Sequence, residues 1–169
     1  MVKILERGLV LDWDRLRASW EPRVLSVFRF VVGLLFLEHG LAKIAGFPPL
    51  AHHAPYHLFT LVPGLAGILE LVGGALILLG LFTRPVAFIL SGEMAFAYFI
   101  SHAPRNLFPI VNGGEGAILY CFAFFYLFVA GGGTWSLDRL LRPQPEPAAA
   151  AGRSSARPPT GELTSRPPG

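Results

Sequence analysis

The chain has 169 residues, 53% of them hydrophobic and only 15% charged. A soluble domain carries about a quarter of its residues as charges, so this composition argues against one and for a single small membrane domain with polar tails. The net charge of +3 is no nucleic-acid signal. Most lysines and arginines sit toward the two ends, where membrane topology accounts for them.

Residues 1–22 are too charged to cross a membrane. Leu5, Leu9, Trp13, Leu16 and Trp20 nevertheless recur at helical spacing, with Lys3, Arg7, Arg15 and Arg17 among other positions. This pattern predicts an amphipathic helix lying at the membrane interface, with tryptophans at headgroup depth.

The first long apolar run covers about residues 24–44 and suffices to span a bilayer at ~1.5 Å per residue. It is too long for a signal peptide and no Ala-x-Ala site follows it, so it reads as a retained helix. The run is unusual in carrying Arg29, Glu38, His39 and Lys43. Ionisable groups in hydrocarbon persist only when paired, neutralised or hydrated. Arg29, Gly33, Phe36, Gly40 and Lys43 recur at steps of four and three, which defines one helix face. Glu38 falls roughly opposite Arg29, so its partner must lie elsewhere or it must carry a proton.

Residues 45–62 contain Pro48, Pro49 and Pro55 and read as a loop. His53 and His57 have the spacing that chelates a metal on a helix. The prolines oppose a regular helix here and no third ligand is evident. His52, His53 and His57 are therefore read as solvated or interfacial, and no metal site is expected.

The second span covers about residues 63–82, with Pro63, Gly67, Glu70, Gly74, Ile77 and Leu81 on one face. Small residues beside Glu70 allow another helix to approach closely. Thr83 and Arg84 read as a very short turn, and Pro85 suits the first turn of the next helix. The third span, about residues 85–102, carries Glu93 at its middle. The fourth, about residues 115–130, is dense in aromatics, among them Tyr120, Phe124 and Tyr126. Asn112-Gly-Gly-Glu115 fits a capping box, with Asn112 as N-cap. The lone Cys121 forms no intrachain disulfide and reads as a small packed side chain. Residues 142–169 are Pro, Ala, Ser, Gly and Arg-rich and are expected to be disordered.

Five basic residues precede the first span, Arg84 lies in the second connection, and Arg139 and Arg142 follow the fourth span. Only Lys43 and Arg105 lie near helix ends on the other face. Both termini are therefore expected in the cytoplasm, with the chain multi-pass in the plasma (inner) membrane. The expected fold is all-α: an antiparallel bundle of four transmembrane helices over residues 23–141.

With this topology Glu38, Glu70 and Glu115 lie toward the outer face and Glu93 near mid-depth. Lys43, Arg105, His39 and His102 lie on the same outer side. At least one of Glu38, Glu70 and Glu93 is expected to carry a proton, because buried carboxylates outnumber the cations available to them. These three are the candidate catalytic residues. The expected outward-facing polar pocket comprises Arg29, Glu38, His39, Lys43, Glu70, Glu93, His102 and Arg105. The competing reading is an ion-pair network that only fixes helix register.

Three stretches together resemble the DoxX family. They are Gly-x2-Phe-x-Glu-His-Gly-x2-Lys in the first span, Gly-x2-Glu-x2-Gly-Gly-x3-Leu-Leu-Gly-Leu-Phe-Thr-Arg over residues 67–84, and Gly-Gly-x-Trp-Ser-Leu-Asp after the fourth span. The matching positions include Arg29, Glu38, His39, Gly40, Lys43, Glu70, Gly73, Gly74 and Arg84. The resemblance covers about residues 23–141 and implies a small four-helix integral membrane protein. It also implies a subunit of a quinone-linked respiratory or oxidative-stress redox complex, with a quinone as ligand and no covalent cofactor. Beside the lipid bilayer, the implied partners are a redox protein or further copies of the chain. The sequence has no paired-histidine haem pattern, no cysteine cluster and no Gly-x-Gly-x-x-Gly. A membrane anchor for a soluble oxidoreductase, or a small-solute or proton transporter, are the alternatives.

Overall fold

The computed structural model describes residues 13–49, 60 and 64–142, and these residues form helices and turns with no strand among them. The expected interfacial residues Leu5 and Leu9, the histidines His52, His53 and His57, and residues 143–169 lie outside the described residues.

Helix α1 (Trp13–Ala45) has 33 residues, a length of about 50 Å. No break separates the amphipathic segment from the apolar run, for the helix passes through Pro22. The Pro22 carbonyl accepts the Ser26 hydroxyl (2.8 Å) and the Thr134 N–H (3.1 Å), which satisfies it locally. Trp13 and Trp20 are exposed, and the Arg23 guanidinium stands 5.8 Å from the Trp20 ring.

Helix α2 (Ala66–Leu79) runs back along α1. The antiparallel register is visible in the glycines. A Cβ on Gly33 would lie 2.5 Å from the Leu78 nitrogen, and one on Gly74 would lie 2.7 Å from the Leu37 nitrogen. Gly40 meets the Leu71 backbone in the same way, and Gly67 meets Ile44 and Lys43. The backbones touch because these positions have no side chain, which is how helices pack where no hydrophobic effect draws them together.

Helix α2 ends on Gly80, whose φ of 68° allows the Gly80 and Leu81 N–H groups to fold back onto the Ile77 and Leu76 carbonyls. This is the helix-terminating pattern that favours glycine. The turn is 80–82 rather than Thr83 and Arg84, which instead open helix α3 (Thr83–Ala97), with Pro85 in its first turn as expected. Phe82 sits at φ 50°, a left-handed conformation uncommon for a bulky residue. It is held there by the Asp138 carboxylate, which accepts the N–H groups of Phe82 (2.7 Å) and Thr83 (2.8 Å).

A π-helical turn, Tyr98–His102, continues α3. The short α4 (Pro109–Asn112) and then α5 (Glu115–Ala130) follow. The expected capping box does not form. Gly113 turns left-handed (φ 70°) and ends α4, so Asn112 falls two residues too early and Gly114 becomes the N-cap of α5. Asn112 Oδ1 instead accepts the Gly114 N–H at 2.7 Å, and Glu115 is exposed. A last short helix, α6 (Leu137–Leu140), is capped by Ser136.

The most intimate pairs are α1 with α2 and α3 with α5. The two pairs close on a core of Phe36, Ile77, Leu90, Phe124 and Leu127, all essentially inaccessible. The described residues are all-helical, as expected, with α1, α2, α3 and α5 packed around this core. The exterior is apolar: Phe30, Val31, Leu35, Val72, Phe88, Ile89, Phe122 and Phe125 all point outward. Such continuous apolar surface suits lipid rather than water. Among the described helices, α1 is the one long and apolar enough by itself to cross a membrane, while α2 and α5 are shorter apolar helices.

Candidate functional site

The charged residues of the apolar helices separate to the two ends of the bundle. At one end Arg29 is 2% exposed. Its guanidinium donates to the carbonyls of Gly132 (2.8 Å), Ile77 (2.6 Å), Leu78 and Trp135 (2.6 Å). Ile77 and Leu78 lie in the last turn of α2, where carbonyls lack helical partners and a cation is favoured. The Ser26 hydroxyl accepts the Trp135 N–H at 3.0 Å, and the Asp138 N–H reaches the Gly80 carbonyl at 2.9 Å. The segment from Gly132 to Asp138 is thus a clasp that ties α1, α2 and α3 together. Arg29 belongs to this clasp and not to the expected polar pocket, because helix α1 carries it ten residues, about 15 Å, away from His39.

At the other end a cavity of about 790 Å³ opens among α1, α2, α3 and α5. It is bordered by the last turns of α1, the start of α2, the π-helical turn and the start of α5. Of the expected pocket residues, His39, Lys43, Glu70, Glu93 and His102 line it. Lys43 Nζ bonds both carboxylate oxygens of Glu70, so this ion pair bridges α1 and α2 along the cavity wall. Glu70 is buried and Lys43 about a quarter exposed. Glu93 stands differently: both its carboxyl oxygens are buried, and among the described residues neither has a hydrogen-bond partner.

Glu38 and Arg105 do not line the cavity. Glu38 lies on the exposed face of α1, consistent with its angular position opposite Arg29. Arg105 is exposed, donating to the Ser101 carbonyl at 2.9 Å and lying 3.2 Å from His102 Nδ1. It reaches the site only through His102, whose Nδ1 also lies 3.1 Å from the Asn112 carbonyl.

The rest of the lining is mostly apolar. Phe36 packs against Phe124 (ring centroids 4.7 Å apart) and Tyr120 (5.2 Å), and Tyr120 meets the His39 ring at 5.8 Å. The expected aromatic flank from the fourth helix is therefore contributed by Tyr120 in particular. Gly92 and Gly116 also line the cavity, and a Cβ on either would meet open space. Sequence reasoning missed both, because a glycine that leaves room for a ligand looks the same as one that admits a helix. Among the described residues, no three His, Cys, Asp or Glu side chains converge as a metal site would require.

Comparison with known proteins places these features in a family. The DoxX family model matches residues 24–103, which include Arg29, the Lys43–Glu70 pair, Glu93 and the glycines of the α1–α2 contact. The chain is 43% identical over 123 residues to an uncharacterized protein of Haemophilus influenzae, covering 71% of this chain and 92% of that protein. It is 32% identical over 127 residues to the inner membrane protein YqjF of Escherichia coli, covering 68% of this chain and 89% of YqjF. It is 29% identical over 146 residues to an uncharacterized membrane protein of Mycobacterium tuberculosis, covering 77% and 88% respectively. No solved structure matches the chain. The chain belongs to the DoxX family and is a membrane protein.

Proposed function

We propose that this protein is the membrane-embedded, quinone-binding subunit of a redox complex, crossing the membrane four times with both termini in the cytoplasm. The observation that carries the reading is the Glu93 carboxyl, whose two buried oxygens have no partner on the wall of a largely apolar cavity. Buried polar groups are nearly always hydrogen-bonded, and the exceptions mark strain, ligands or catalysis. An isolated ionised carboxylate is costly to bury, so Glu93 holds a proton that a bound ligand can share.

A quinone fits this chemistry. The cavity volume lies within the usual range for small-molecule pockets, ~300–1,000 Å³. Its aromatic walls, Phe36 and Tyr120, suit a planar ring. Lys43 and His102 offer donors and Glu93 offers a proton at the few polar points. Quinone chemistry couples electron transfer to proton transfer, and Glu93 is the residue of this chain suited to the proton. Electrons then come from a partner protein.

The test is purification of the native complex in mild detergent, with extraction of lipophilic molecules and identification of co-purifying proteins. A bound quinone and a redox partner are expected. Glu93→Gln keeps shape but fixes the neutral state. It should leave thermal stability unchanged while quinone reduction in membranes falls by about a hundredfold, the usual weight of a general acid. A soluble enzyme co-purifying without quinone, with full turnover in Glu93→Gln, would leave the protein an anchor. Solute uptake into liposomes would make it a transporter.

A further inference from the structure

The clasp end of the bundle holds a second hollow, of about 850 Å³, that the quinone reading does not use. Three arginines line it: Arg84 from the first turn of α3, Arg139 from α6, and Arg142 just beyond. Among the described residues none of these guanidiniums has a hydrogen-bond or ion-pair partner. Asp138 also lines the hollow, but its two oxygens are committed to the Phe82 and Thr83 N–H groups. Arg29 is likewise turned inward onto carbonyls. Among the described residues lining the hollow, three guanidiniums therefore face one carboxylate, which leaves it with net positive charge.

Two further features indicate what answers it. Thr83, on the hollow's lining, is fully buried, and its hydroxyl has no hydrogen-bond partner among the described residues. The rim is apolar as well as basic: Phe82 is 62% exposed and Leu141 70% exposed beside the arginines. A basic hollow with an apolar rim, at the end of a lipid-embedded bundle, matches a group that is anionic at its head and apolar below it. A free anion would leave the apolar rim without a role.

We propose that this hollow binds the phosphate of an anionic phospholipid headgroup, with Arg84, Arg139 and Arg142 as its ligands. Arginine suits the task because its planar fork holds phosphate oxygens by paired hydrogen bonds. The lipid's glycerol and upper acyl chains lie against Phe82 and Leu141. Since Arg84 opens α3 while Arg139 and Arg142 follow the clasp, one headgroup ties the C-terminal segment to the α2–α3 turn. Pockets of this kind, basic and near the cytoplasmic ends of membrane helices, are where anionic lipids are held.

The experiment uses the full chain in nanodiscs of equal parts phosphatidylglycerol and phosphatidylcholine, with retained lipid counted by native mass spectrometry after transfer to detergent. Enrichment of phosphatidylglycerol is expected. Each Arg→Gln change should weaken its retention about fivefold, and the triple variant by roughly a hundredfold. Arg84→Lys and Arg139→Lys keep the charge and should fall between wild type and Gln, which separates recognition from misfolding. Circular dichroism of the triple variant should match wild type, since none of the three side chains bonds within the described fold. Equal retention of both lipids by wild type, or unchanged enrichment in the triple variant, would overturn the proposal. Loss of the enrichment in millimolar inorganic phosphate would also overturn it, by making the site one for a free anion.

Discussion

Arg29 and Glu70 are both buried charges, yet their surroundings differ. Arg29 answers four backbone carbonyls and, among the described residues, has no carboxylate in hydrogen-bond contact. Glu70 answers one cation, Lys43. A guanidinium can satisfy several carbonyls at once because it has five donors in a rigid plane. Replacing Arg29 by Met removes the donors and leaves the carbonyls of α2 and the clasp unpaired in a dry site. We expect a loss on the order of 3 kcal/mol or more, read as a clear fall in melting temperature in detergent. Arg29→Lys should recover only part of it, because one ammonium cannot reach carbonyls on both sides. A melting temperature for Arg29→Met equal to wild type would show that the clasp contributes nothing.

At the level of helices, the α1–α2 contact rests on what is missing from it. Gly33, Gly40 and Gly74 each place bare backbone against the partner's backbone. A methyl at Gly40 would overlap Leu71 backbone atoms, which cannot rotate away as a side chain can. Gly40→Ala should therefore push the helices apart, stretch the Lys43–Glu70 bridge and cost about 2–3 kcal/mol. Gly92→Ala is the control. It sits in mid-helix with nothing within 4 Å of the added carbon, so thermal stability should be unchanged, although the cavity narrows. Equal melting temperatures for the two variants would refute the close-contact account. The α3–α5 pair is built differently, with the Ser91 hydroxyl donating to the Cys121 carbonyl at 2.9 Å and Phe88 against Phe128.

For the whole molecule, the polar ends and the apolar girdle set the relation to the bilayer. Helix α1 exceeds the ~30 Å hydrocarbon thickness by itself. Helices α2 and α5, at 14 and 16 residues, reach only about 21–24 Å. They cross only if the bilayer thins around them or the flanking turns complete the span. Residues at those helix ends, Leu65, Ala66 and Gly116, line the cavity. Reporter fusions near residue 50 and after residue 142 are expected on opposite sides of the membrane, the second in the cytoplasm. Both reporters on one side would exclude four crossings.

The sequence alone determined the class, the helices and the polar face. Apolar run length and charge clustering are enough for the first two, because both depend only on local composition. The face bearing Arg29, Gly33, Phe36 and Gly40 was legible because helical periodicity is local too, and these residues are buried as the spacing requires. Which charges meet was not legible. Arg29, Lys43, Glu70 and Glu93 look alike as ionisable residues in apolar runs, and only the antiparallel register sends Lys43 to Glu70, Arg29 to the clasp and Glu93 to a cavity wall without a partner. The role of the Gly-Gly-Thr-Trp-Ser-Leu-Asp stretch was hidden for the same reason. Its contacts lie some fifty to a hundred residues away in the chain, and no local pattern records a partner that distant.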